Sequence, residues 1–121
     1  MLKKRIAVAC TALALTAMVP VALTRAQSSL PKSKVVKVRD NFFYPDSLTV
    51  PKETKIIWRW PRSPGDVHDV YLTRRPNGVK RFHSELAASD YSFARRLKKS
   101  GQYTMVCTIH AEMSMKVKVR R

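Results

Sequence analysis

The chain has 121 residues and carries 24 lysines and arginines against 8 acidic residues, a formal net charge of +16. A chain of this length holds one domain with a modest core and excludes a multidomain enzyme. Its basicity suits an acidic or anionic partner; nucleic acid is set aside as a partner because the basic residues are scattered and the N-terminus reads as an export segment.

Lys3, Lys4 and Arg5 lead into an apolar stretch from Ile6 to Leu23, and Thr24-Arg25-Ala26 then places small residues where a signal peptidase cuts. Residues 1–26 are therefore read as an export signal cleaved before Gln27, which sends the protein to a periplasm, a cell envelope or the medium. An uncleaved anchor is the other reading, because 18 apolar residues stand at the lower edge of a membrane-spanning helix. Pro20 and the early positive charges favour the signal. Cleavage removes Cys10 and leaves Cys107 alone, an unpaired thiol where small exported domains use cysteines in pairs. It also leaves 95 residues with 20 of the 24 basic side chains and all 8 acidic ones, a net charge of +12. That charge fits an acidic partner protein or an anionic envelope surface, held by attraction that weakens with salt.

Residues 27–34, with Pro31, read as a polar linker, and residues 35–121 as the folded domain. Val36 and Val38 alternate with Lys37 and Arg39, a half-buried strand. Asp40-Asn41 and Pro45-Asp46 mark a turn before a second short alternation at Leu48 and Val50. Ile56, Trp58 and Trp60 share one face of a strand and form the largest apolar block in the chain. Pro64-Gly65 marks a loop, after which His68, Val70 and Leu72 share a strand face. From Arg74 to Asp90 the two-residue period lapses, with a turn at Pro76-Asn77-Gly78 and room for one or two helical turns over Ser84 to Ser89. Phe93 and Leu97 belong to the next strand, and Ser100-Gly101 to a tight turn. Tyr103, Met105 and Cys107 then fall on one face, so this alternation delivers the thiol to the core at the strand's end. Val117 and Val119 complete the pattern. Seven short strands joined by turns predict an all-β domain, an antiparallel Greek-key β-sandwich.

The chemistry concentrates in Cys107-Thr108-Ile109-His110-Ala111-Glu112-Met113, where a thiolate, an imidazole and a thioether recur at three-residue intervals. A soft sulfur, a borderline nitrogen and a weak second sulfur suit copper in a trigonal site with a long axial ligand. A second imidazole is missing from the stretch, and His68, 39 residues before Cys107, is the candidate. Met115 offers an alternative thioether and Glu112 a harder oxygen. Zinc would accept Cys107 and both histidines, although a structural zinc site wants more thiolate and no thioether. Met105 reads as core packing and His83, in a basic loop, as a solvated surface residue.

Two blocks carry a family resemblance. Phe43-Tyr44-Pro45-Asp46-Ser47-Leu48-Thr49-Val50 with Ile57-Trp58 and His68, and Gly101-Gln102-Tyr103-Thr104-Met105-Val106-Cys107 running into the ligand loop, resemble the cupredoxins, small blue-copper proteins of the plastocyanin and amicyanin kind. The short loop is most similar to amicyanin's. The resemblance implies metal ligands at His68, Cys107, His110 and Met113, one copper cycling between Cu(II) and Cu(I), and a monomeric one-electron carrier with no catalytic residues. It also implies an acidic redox partner, a cytochrome or an oxidoreductase. That partner would dock at the His110 ring edge on an apolar patch of Ile109, Ala111 and Pro64, steered by surrounding basic residues. The chain departs from the pattern at Asp69, where Asn, Ser or Thr is usual; a carboxylate there would favour Cu(II). It departs also at Ile109 and Ala111, which replace prolines, at Lys52-Glu53, which replaces a turn glycine, and at Trp60, which replaces an Asn. Two other functions use the same residues: a copper delivery or sequestration module without a redox partner, and a cationic envelope-binding protein with a vestigial site.

Overall fold

In the computed structural model, residues 14, 17, 18, 20–22 and 32–121 are described; the rest of the stretch read as an export signal, with Cys10, and most of the stretch read as a linker lie outside them. Eight strands form: β1 (Ser33–Arg39), β2 (Phe42–Tyr44), β3 (Ser47–Pro51), β4 (Thr54–Arg59), β5 (Tyr71–Arg74), β6 (Ser92–Leu97), β7 (Gly101–Val106) and β8 (Ser114–Arg120). They make two four-stranded sheets, ordered β2-β1-β4-β6 and β3-β8-β7-β5. No helix forms among the described residues, and none there is long and apolar enough to cross a membrane.

The alternation that predicted the strands also built the core. Val36, Val38, Ile56, Trp58, Trp60, Tyr103 and Met105 all turn inward and are at most 3% exposed, while the charged residues between them stay in water. Each such side chain contributes about 1.5–3 kcal/mol by leaving water. Trp58 lies at the centre, its ring against Phe82 and Phe93 with centroids 6.2 and 5.8 Å apart, and its indole N–H donates to the Met115 sulfur at 3.1 Å. Met115 is thereby committed to the core.

Three features depart from the expected pattern. The sandwich is not wholly antiparallel: β1 runs parallel to β4, and β3 parallel to β8. Parallel neighbours need crossovers between the sheets, and local alternation carries no trace of them. An eighth strand, β2, pairs with β1 across the Asp40-Asn41 turn, with Asn41 at φ 67°, a left-handed conformation that Asn tolerates. The segment 84–90 is not helical; it is held as an extended connection through a bridge between Ala87 and His68. β1 also begins at Ser33, inside the stretch read as linker.

The strand directions bring one set of loops together. β1 and β4 both run toward the end of the sandwich that carries the Asp40 turn and residues 60–70; β7 runs there too, and delivers Cys107 just past its last residue. β5, β6 and β8 start from that end.

Candidate metal centre

His68 sits one step outside regular strand. It exchanges two backbone hydrogen bonds with Ala87, His68 N–H to Ala87 O and Ala87 N–H to His68 O, both 3.0 Å. This isolated bridge, in place of the expected strand, fixes the residue from both sides, and its side chain is buried. Cys107 is anchored by its own N–H donating to the Met113 carbonyl at 2.9 Å, while the Met113 N–H donates to the His110 carbonyl at 3.0 Å. The loop 107–113 is thus closed on itself by two main-chain bonds. Met113 is fully buried at its base, and His110 stays partly open.

The ligating atoms of His68, Cys107 and His110 lie within 4.8 Å of one another. The two Nδ1 atoms are 3.1 Å apart, and the Cys107 Sγ is 3.8 Å from His68 Nδ1 and 3.5 Å from His110 Nδ1. Their opposite ring nitrogens face carboxylates. His68 Nε2 lies 3.0 Å from Asp40 Oδ1, a hydrogen bond that makes Nε2 the protonated nitrogen. His110 Nε2 lies 4.0 Å from Asp66 Oδ2, beyond hydrogen-bond reach. With its Nε2 protonated, His68 turns an Nδ1 lone pair toward His110 Nδ1 and the buried sulfur. Such a set is satisfied by a cation.

Asp40 is the residue that sequence reasoning missed. It accepts the His68 N–H and the Asp66 main-chain N–H at 3.0 Å, and these two bonds, the histidine's first, hold its carboxyl below the usual range. Gly65 favours this approach: a Cβ there would lie 2.7 Å from Asp40 Oδ1, and the carboxylate would have to shift to make room for it. The one legible signal was the Pro64-Gly65 pair. Asp40→Ala is expected to remove the acceptor of the His68 ring N–H, so that its proton resonance, expected to be observable in the wild type, broadens away by exchange with solvent.

Asp69, the atypical neighbour of His68, is committed elsewhere. It is 6% exposed and accepts two 2.7 Å bonds from Thr108, one from the main-chain N–H and one from the hydroxyl. The carboxylate thus ties the residue after the thiol to the residue after the histidine. Asp69→Ala leaves both donors unpaired and is expected to cost about 1–2 kcal/mol, read from a urea midpoint, whereas Asp69→Asn, which keeps one acceptor, loses about half of that.

Of the remaining candidates, Glu112 is exposed, Met105 is core, and His83 lies outside the cluster. Ile109 is 52% exposed beside His110, and Val67, next to His68, is 42% exposed. The basic residues expected around this patch are not concentrated there. Asp40, Asp66, Asp69, Glu85, Asp90 and Glu112 all lie on the loops of the site end, with Arg39, Arg59 and Arg62 near them.

No family model matches the sequence, and a comparison with curated protein sequences gives no match. The likeness lies in the structure. Amicyanin from Paracoccus versutus superposes with a TM-score of 0.62 at 22% identity, covering 77% of this chain and 86% of that one. An oxidized mutant of amicyanin gives 0.62 at 19% identity, covering 71% and 80%. A Cu-containing nitrite reductase from Thermus scotoductus SA-01 gives 0.62 at 22% identity over 76% of this chain but only 23% of its own. The chain has the cupredoxin fold, and His68, Cys107 and His110 form a cluster able to hold copper at the end where its loops converge.

Proposed function

We propose that this protein is an exported type 1 copper protein that carries single electrons, with His68, Cys107 and His110 as the equatorial ligands and Met113 as the axial one. The observation that carries this reading is the convergence of two imidazole nitrogens and a buried thiol within 4.8 Å of one another, with the His68 ring set by Asp40 on its far side. Two imidazoles, one thiolate and a thioether fit copper better than zinc, which gains nothing from a thioether. Bound there, copper supplies a one-electron couple between Cu(II) and Cu(I).

The chain's own part is to hold the donors still and to give electrons a way out. His68 is fixed by the Ala87 bridge and by Asp40, and Cys107 by the loop bond and by Asp69 acting on Thr108. Donors that do not move between oxidation states keep the rearrangement small. The His110 side chain, 24% exposed, is the one ring edge of the cluster that reaches the surface, and the exposed Ile109 beside it supports a small apolar contact with a partner protein. An acidic partner, a cytochrome or an oxidoreductase, is drawn by the whole-molecule charge, but the carboxylates at the site end weaken that pull locally, so contact there rests on apolar surface. Residues 1–26 as export signal and 35–121 as the copper domain complete the reading, with a periplasmic or envelope location.

The test is copper loading followed by absorption spectroscopy and voltammetry. An intense visible thiolate-to-Cu(II) band with one metal per chain and a reversible one-electron wave are expected. Colourless protein after cupric loading overturns the proposal.

A further inference from the structure

At the end opposite the site, basic side chains stand on the chain reversals almost without acidic neighbours. β3, β5, β6 and β8 finish there and β1, β4 and β7 begin there, so the turns at 52–53 and 98–100, the loop 75–80 and the chain end lie together. Glu53 N–H bonds the Leu97 carbonyl at 2.9 Å, Lys55 N–H bonds the Lys32 carbonyl at 2.9 Å, and Lys99 Nζ donates to the Asn77 carbonyl, joining these segments. Lys52, Arg75, Lys80, Lys98, Lys99 and Arg121 stand on them, and Glu53 is the only acidic side chain among their described residues. A cavity of about 500 Å³ opens on this side, lined by Lys80, Arg81, Arg95, Arg96, Lys98 and Lys99 with no acidic residue.

We propose that this cationic end seats on an anionic lipid surface, with the metal centre facing away from the bilayer. Two observations favour lipid headgroups over an acidic protein. The large exposed apolar residues lie mostly elsewhere: Phe42, Val67, Leu86 and Ile109 are on or next to the site-end loops, whereas the apolar side chains that line the cavity, Val79, Phe82, Leu97 and Tyr103, are buried or packed against the core. The charge is spread over several loops around a shallow concavity, which suits mobile phosphate headgroups and a field that acts within a Debye length. Seated so, His110 and Ile109 stay free for a redox partner. This deepens the envelope contact that the composition implies, and it does not depend on copper, because lipid binding is read equally on metal-free protein.

The experiment is sedimentation of the exported, purified protein with vesicles of phosphatidylcholine alone or with 30% phosphatidylglycerol. Partition onto the anionic vesicles is expected to be at least tenfold stronger in low salt and to fall steeply in 0.5 M NaCl. The charge reversal Lys52→Glu/Lys80→Glu/Lys98→Glu is expected to lose at least tenfold, and Arg39→Glu/Arg59→Glu/Arg62→Glu, with the same net change at the site end, less than threefold. Should the first triple variant fail to fold, Lys98→Glu alone is compared with Arg59→Glu, the former losing more. Equal losses from both ends, equal binding to neutral vesicles, or no binding in low salt overturns the proposal. Displacement by polyglutamate at concentrations that leave lipid excess unfilled reassigns the face to acidic protein and overturns it as well.

Discussion

Cys107→Ser is expected to abolish the visible charge-transfer band completely and to lower Cu(II) affinity by roughly 100-fold or more, since loss of even an outer hydrogen-bonding partner of a ligand costs 10–100-fold. The reason is electronic as well as geometric. Serine occupies nearly the same volume at a site 2% exposed, but its alcohol stays protonated where the thiol is given up readily to a metal. The fold itself is expected to survive, because Cys107 is held by its main-chain bond to Met113 and the Asp69 grip on Thr108 is untouched. Absorption and isothermal titration on the variant beside the wild type give both numbers. A variant that stays blue would remove the thiolate from the proposed centre.

Trp58→Ala is expected to cost about 3–5 kcal/mol, a large part of the 5–15 kcal/mol that a domain of this kind has in total. Trp58 is wholly buried, stacks in tilted geometry on Phe82 and Phe93, and donates to Met115, so its removal leaves a large cavity at the centre of the core and an unpaired thioether beside it. Val35→Ala, in the adjacent β1 at 42% exposure, is expected to change stability by less than about 0.5 kcal/mol. Urea unfolding of both variants, with the slope m checked against the wild type, makes the comparison. A loss below about 1.5 kcal/mol for Trp58→Ala would mean that the core closes over the gap and that Trp58 is not its centre.

The elements legible in the sequence were those that a local period encodes. The alternation in β1, β4, β7 and β8 placed Val36, Ile56, Trp58, Tyr103 and Val117 inward, and the structure buries all of them. The thiol at the end of one such strand, with His110 three residues on, was legible for the same reason. Elsewhere the period misled. His68 shares the inward face with Val70 and Leu72, but its own partner is Ala87 in a segment whose sequence suggested helical turns, and the strand begins only at Tyr71. β2 spans three residues between two turns, too few for a period to show. Asp40 was legible only as a turn residue, because its role toward His68 depends on the Asp40 turn meeting the Gly65 loop, 25 residues away.

Composition likewise foretold the amount of charge but not its arrangement. A net charge of +12 over residues 27–121 suggested basic residues around the metal loop, yet the chain reversals differ: those at one end carry mostly lysines, and those at the other carry most of the aspartates and glutamates.

By itself the amino-acid order determined which faces of the strands would be buried and which donor atoms were available, since side-chain alternation and ligand chemistry are properties of short stretches. Only the tertiary structure decided that β1 and β3 would run parallel to β4 and β8, that a bridge rather than a strand would hold His68, and that Asp40 would turn its ring. Those outcomes depend on segments distant in sequence arriving at one place, and the free energy that brings them there comes from closing the whole core, a quantity no local pattern contains.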